Sequence, residues 1–158
     1  MDIRVVAYDD PDAAKLIDEV QLEYVARYGA PDETPVDVTE FISPRGLFLV
    51  GYLDGVPVAS GAWRAHDEPA PDFRPGDAEL KRMYVVPSAR GRGFPRAMLA
   101  ELEGMAVAAG RLRAVLETGT EQPEAIALYT SSGYHPIESF GVYKNEPESR
   151  CFAKLLNG

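Results

Sequence analysis

Histidine and cysteine are scarce in this chain, which among 158 residues holds two of the first and one of the second. His66 and His135 have no Cys or carboxylate companions at metal-ligand spacing, so no metal centre is expected. The lone Cys151 cannot close an intramolecular disulfide, which fits a reducing compartment. Between Arg150 and Phe152 it reads as part of a closing strand. There a thiol more often packs as a small apolar group than acts as a nucleophile. Long apolar runs are lacking as well, and none approaches the roughly 20 residues a membrane span needs. The start, Met1-Asp2-Ile3-Arg4, has neither the basic head nor the apolar run of a secretion signal. A cytoplasmic location is the expectation. With no internal repeat, low-complexity tract or linker-like break, residues 1–158 read as one domain.

Positive charge is the other shortage. Sixteen basic residues face 25 acidic ones, a net charge of −9. Such a field repels nucleic acid and anionic membrane, and neither is expected as a partner. The apolar fraction, 46%, is that of an ordinary globular protein rather than a disordered one.

The elements follow from periodicity and punctuation. Ile3 to Ala7 reads as a strand. Asp9, Asp10 and Pro11 then start a helix, because acids suit the positive end of the helix dipole. Leu16, Ile17, Val20 and Tyr24 recur at helical spacing and Gly29 ends the run. A loop to Pro35 leads to a short helical piece near Val36 to Phe41. Leu47 to Leu53 and Val56 to Ala65 form a hairpin around Asp54-Gly55, whose two turn positions need positive φ. Pro69, Pro71, Pro75 and Gly76 make the stretch from Asp67 to Asp77 irregular. Glu79 to Val86 is the next strand. A helix bearing Met98, Leu99, Leu102, Met105 and Ala106 follows and ends near Gly110. Arg113 to Glu117 is a strand, Pro123 opens a helix closed by Gly133, and strands at Tyr134 to Ser139 and Arg150 to Leu155 finish the chain. Locally paired strands followed by alternation with helices predict an α/β fold, a mixed sheet covered by helices.

The strand that starts at Glu79 runs into a turn, Arg90-Gly91-Arg92-Gly93-Phe94-Pro95-Arg96, that opens a helix. Backbone N–H groups at a helix start lack internal partners and grip phosphate oxygens. Gly91 and Gly93 allow close approach of an anion, and Arg90, Arg92 and Arg96 add charge-assisted hydrogen bonds. From Leu80 to Ala100 no residue is acidic, while Lys81, Arg82, Arg90, Arg92 and Arg96 fall there. A solvated basic turn with no ligand explains the segment equally well. A nucleotide-triphosphate loop does not, since no Gly-Lys-Ser/Thr follows, and neither does the dinucleotide Gly-x-Gly-x-x-Gly pattern.

Arg90, Gly93 and position 95 resemble the Arg/Gln-x-x-Gly-x-Gly/Ala turn with which the GNAT superfamily of N-acetyltransferases binds the coenzyme A pyrophosphate. Position 95 departs from it, being Pro95, which is comfortable in a first helical turn but donates no backbone hydrogen bond. Downstream, Gln122-Pro123-Glu124-Ala125-Ile126-Ala127-Leu128-Tyr129-Thr130-Ser131-Ser132-Gly133-Tyr134 resembles the family's Asn-x-x-Ala-x-x-Leu-Tyr-x-x-x-Gly-Phe/Tyr block, with Gln122 for the asparagine. The resemblance covers essentially the whole chain. It implies helices packed on a splayed, largely antiparallel sheet, and acetyl-CoA as cosubstrate, its pantetheine arm lying between the strands at Glu79–Val86 and Arg113–Glu117. It implies cofactor contacts from Met83, Tyr84, Val85, Val86, Arg90, Gly91, Arg92, Gly93, Phe94, Arg96 and Gln122. Edge strands of the family often make homodimers.

Acetyl transfer needs a neutral amine, yet a lysine-like amine at pH 7 costs about 4.6 kcal/mol to deprotonate. The resemblance makes Tyr129 the general acid beside the coenzyme sulfur, whereas without the motif it reads as a core residue. Glu79 opens the cofactor strand where several family members place a glutamate, and it is the expected base. Glu117 across the gap is its substitute, and an exposed strand-end carboxylate is the plainer reading of Glu79. A backbone N–H near Tyr84 or Val85 would face the oxyanion. The acceptor, a small-molecule or peptide amine attacking directly in a ternary complex, would pass between segments holding Asp32, Glu33, Glu146 and Glu148. Tyr143, Phe140 and Trp63 are wall candidates or simply packed. A non-catalytic acyl-CoA-binding sensor of the same fold is the alternative.

Overall fold

The computed structural model describes residues 1–156. β1 (Asp2–Val6) leads to Asp10, whose carboxylate accepts the Asp12 backbone N–H at 2.8 Å and caps α1 (Pro11–Tyr28). A 3₁₀ turn at Val38–Phe41 precedes the hairpin of β2 (Gly46–Leu53) and β3 (Val56–His66). Its turn residues Asp54 and Gly55 have φ of 50° and 78°, as the hairpin signal demanded. Then come β4 (Asp77–Val85), α2 (Phe94–Ala108), β5 (Arg113–Gly119), α3 (Pro123–Ser131), β6 (His135–Ile137) and β7 (Ser149–Leu155).

The seven strands form one sheet in the order β1-β2-β3-β4-β5-β7-β6, antiparallel except between β4 and β5. Both faces are covered. On one, Ala13, Leu16 and Val20 of α1 pack with Phe48 and Val50; on the other, Met98, Leu99, Leu102 and Ala106 of α2 pack with Leu47, Leu49 and Trp63. β2 therefore reads as an unbroken apolar run, because its alternate side chains enter two different cores. Cys151 is buried in a third, smaller cluster with Val115 and Phe140, and burial raises its thiol pKa. That suits the packed rather than the nucleophilic reading. No helix among the described residues is long and apolar enough to cross a membrane.

Most strand ends shift by one or two residues from the sequence reading, and two of the differences have a plain physical reason. β6 is three residues rather than six, because it pairs with β7 only at Ala153, Phe152 and Cys151 and contains Pro136, which suits an edge. β4 opens at Asp77, not Glu79. Asp77 is 1% exposed and faces its parallel partner Arg113, whose Nε and Nη2 each donate to it at 2.8 Å. The Arg74 backbone N–H also donates to it. This bidentate pair staples the start of β4 to the start of β5. Asp77→Ala leaves a buried guanidinium without its counter-charge and is expected to cost about 3–5 kcal/mol, read by urea denaturation.

Candidate active site

β4 and β5 pair at only three positions, Asp77 with Arg113, Ala78 with Ala114 and Glu79 with Val115. Beyond them β5 follows β7 through all seven of its residues, while β4 stays with β3. The two strands separate. β4 also carries an extra residue: Ser60 pairs with Tyr84 but Ala62 with Lys81, and Arg82 sits at φ 59°. This is a β-bulge, which bends the strand and sharpens its twist. The Ser60 hydroxyl donates to the Arg82 carbonyl at 2.6 Å, and at Gly61 a Cβ would come within 2.7 Å of Leu102. A bulge also turns successive side chains to one face. Lys81 Nζ and Arg82 Nη1 both reach Asp32 Oδ2, at 3.2 and 3.0 Å.

Two cavities adjoin the gap, one reaching the N-terminus of α2 and the other the C-terminal end of α1. On the α2 side a cavity of about 670 Å³ is lined by Met83, Tyr84 and Val85 of β4, by Arg90, Gly91, Gly93 and Arg96 of the turn, and by Gln122. Eight of the residues expected to hold the cofactor thus meet there, with Pro95. Val86, Arg92 and Phe94 lie outside this lining. Gly91 and Gly93 have φ of 80° and 77°, and a Cβ at either would meet nothing within 4 Å. Gly93 caps α2 with no side chain to satisfy the helix N–H groups. A polyphosphate fits such an open, uncapped helix start. Arg90 is less free than its motif position suggests: Nε donates to the Val85 carbonyl at 2.9 Å and Nη2 to Glu23 at 3.1 Å. It fastens the turn to the strand. Arg96 donates to the Ser131 and Ser132 hydroxyls, tying α2 to α3, and Gln122 Nε2 donates to the Tyr28 hydroxyl.

On the α1 side a second cavity, about 480 Å³, is walled by Tyr24 and Tyr28, by Asp32, by Glu79 to Met83, by Glu117, and by Tyr143, Glu146 and Glu148. Met83, Gln122, Ala125 and Tyr129 line both cavities. Tyr129 is 5% exposed, and no hydrogen bond among the described residues holds its hydroxyl. Burial raises its pKa, so the phenol keeps its proton. The two loops expected to admit the acceptor do meet, the Glu33 N–H donating to the Tyr143 hydroxyl. Trp63 and Phe140 instead belong to the cores.

The carboxylates differ sharply. Burial pushes Glu79 up, but His66 at 2.9 Å, Lys81 and Arg64 at 2.8 Å outweigh it and bring its pKa to about 2. Burial likewise pushes Asp32 up, but Lys81, Thr34 and Arg82 outweigh it, and its pKa stays well below the usual range. Glu117 has no ion pair among the described residues. Burial raises its pKa above 4.5 although the Ser149 hydroxyl donates to it at 2.8 Å. His66 is half-buried at the end of β3 and stacks on Phe73 with ring centroids 3.7 Å apart. Tyr24, Tyr28, Lys81 and Arg82 were not singled out for the acceptor side. Only the basic run containing the last two hinted at them.

Comparison with known proteins bears on the family and the fold. The sequence model of the Acetyltransferase (GNAT) family matches residues 13–134. The IAA acetyltransferase of Azospirillum brasilense is 35% identical over 142 residues, 90% of this chain and 89% of that protein. The uncharacterized N-acetyltransferase YjgM of Escherichia coli (strain K12) is 28% identical, over 85% of this chain and 81% of its own. A solved structure from Klebsiella pneumoniae, assigned as an acyl-CoA N-acyltransferase, superposes with a TM-score of 0.82 at 28% identity, covering 99% of this chain and 97% of that one.

The lowered Glu79 pKa has a thermodynamic consequence. A carboxylate whose folded pKa lies below its unfolded value stabilises the fold above the unfolded pKa, and that stability is lost as pH falls through the folded one. Between about pH 4.5 and 2 the protein is expected to lose about 3 kcal/mol from this group. Urea titrations across that window check it, with Glu79→Gln flattening the slope.

Proposed function

The chain belongs to the GNAT family of acetyltransferases and is an N-acetyltransferase, and from that premise we propose that it moves the acetyl group of acetyl-coenzyme A to a primary amine of a small molecule or peptide. Residues 1–158 act as one domain, and the amine attacks directly in a ternary complex. The observation that carries this reading is the passage between two cavities through the β4–β5 gap, with the buried, unpartnered Tyr129 lining both. A donor seated on the α2 side and an acceptor on the α1 side meet there. The family generally uses acetyl-CoA, which supplies a thioester carbonyl open to attack and a thiolate that can leave.

This chain's residues then divide the work. The open N-terminus of α2, with Gly91 and Gly93, holds the diphosphate through backbone N–H groups. Arg96 and the free Nη1 of Arg90 lend positive charge, while the rest of Arg90 keeps the turn against Val85. β4 beyond Glu79, which has no strand neighbour on its β5 side, offers backbone groups to an extended chain. Tyr129 donates to the departing sulfur. Its raised pKa makes full transfer to a thiolate more uphill than between unperturbed groups, so hydrogen-bond donation comes first and the proton follows as charge builds. Glu117 is the better base of the two candidates. A carboxylate raised by burial is nearer in proton affinity to an ammonium, whereas Glu79 is locked by Arg64, Lys81 and a hydrogen bond with the His66 ring, and better suits holding the β4 end in place.

Tyr129→Phe is expected to lower kcat about 100-fold while calorimetry still shows acetyl-CoA binding. Glu117→Gln is expected to lower kcat/KM about 100-fold and to remove an acidic limb that lies above the ordinary glutamate pKa. Binding of the coenzyme without thiol release across broad amine panels would instead make the protein an acyl-CoA sensor. Absence of coenzyme binding altogether would sink the reading.

A further inference from the structure

Charge on the acceptor-side cavity is not simply a sample of an acidic chain. Six carboxylates and three cations line it. The cations are all committed: Arg27 to Glu23 and Glu124, Lys81 and Arg82 to Asp32. Asp32 and Glu79 are neutralised in turn. Glu117, Glu121, Glu146 and Glu148 remain with no ion pair among the described residues. They stand at two depths. Glu117, on β5, is half-buried, and the same cavity is lined by Tyr129, a residue more than nine-tenths buried whose hydroxyl has no hydrogen bond among the described residues. Glu121, Glu146 and Glu148 are exposed at its mouth, on the loops before α3 and β7. Tyr24, Tyr28 and Tyr143 line the same cavity, and aromatic ring faces attract ammonium groups.

We propose that the acceptor is a polycationic amine, a flexible aliphatic primary amine carrying at least one further ammonium group. This rests on the acetyl-transfer reading and names the substrate class of that same site. One ammonium needs one carboxylate, and Glu117 provides it at depth. The second set of unpaired carboxylates, at the mouth, matches a second positive charge while the first is delivered to the gap. The same walls disfavour an amino acid or any acceptor with its own carboxylate, because every cation that would receive it is already taken. The bulge decides this: by turning both Lys81 and Arg82 onto Asp32 it silences the two positive charges nearest the reacting amine.

The test uses the full chain, acetyl-CoA and thiol release, with matched acceptors: n-butylamine, its α,ω-diamine of equal chain length, and glycine. After correction for two equivalent amines, kcat/KM for the diamine is expected to exceed that for the monoamine about tenfold at low salt, with glycine poorest. The ratio should shrink as salt shortens the screening length. The exposed double variant E146Q/E148Q should bring the ratio most of the way to unity without loss of thermal stability. Equal use of monoamine and diamine, or preference for glycine, overturns the proposal and leaves acetyl transfer standing. No thiol release with any amine, together with no calorimetric binding of acetyl-CoA, overturns the acetyl-transfer reading and this proposal with it.

Discussion

The structure depends on a strand pairing that stops early. β4 and β5 are the only parallel neighbours in the sheet among the described residues, and they stay together for three residues, held at the start by Asp77 and Arg113. Two longer commitments then pull them apart. β5 hydrogen-bonds with β7 along its whole length, and β4 follows β3 around a bulge. A backbone polar group left unpaired inside a protein is costly, so a sheet opens this way only where something else serves the freed groups. Arg90 serves one of them, the Val85 carbonyl. The remaining edge is what the proposed coenzyme arm would use, and the two cavities adjoin the gap where the sheet parts.

Electrostatics then sorts the groups around the opening. A chain of net charge −9 concentrates its scarce cations near β4, and most of them are bound internally. Arg64, His66 and Lys81 surround Glu79; Lys81 and Arg82 share Asp32; Arg90 and Arg27 share Glu23. Removing one partner from such a buried set strands the others, so the set behaves as a unit. Its effect is positional. It joins the loop after α1 to the bulge, draws the C-terminal turn of α1 toward the phosphate-type turn and the start of α3, and leaves Glu117 near the gap with no ion pair among the described residues.

Much of this was legible in the order of residues. The hairpin at Asp54-Gly55, the cap at Asp10 and the stop at Gly29 are local, and local sterics settle them. The turn from Arg90 to Arg96 and the run from Gln122 to Tyr134 are contiguous motifs, so their glycines and Tyr129 were findable before any contact was known. What escaped was long-range. Nothing in the run Glu79-Leu80-Lys81-Arg82-Met83 reveals an extra residue in the ladder with β3, since a bulge is defined by its partner strand. Glu79 looked like an exposed strand end because the approach of Arg64, His66 and Lys81 cannot be read from its neighbours. That Arg90 also holds the Val85 carbonyl and Glu23 could not be read from its motif, because only folding places them beside it.

By itself, then, the sequence determined the α/β architecture, the glycine turn at an uncapped helix start and the tyrosine of the second motif, because each rests on spacing within one element or on backbone sterics at one position. Only the tertiary structure decided which of two glutamates is neutralised by ion pairs and which is raised in pKa by burial. That choice depends on desolvation and on charges brought from β3, β4 and the loop after α1, and the field at a carboxylate is set by distance through space rather than along the chain.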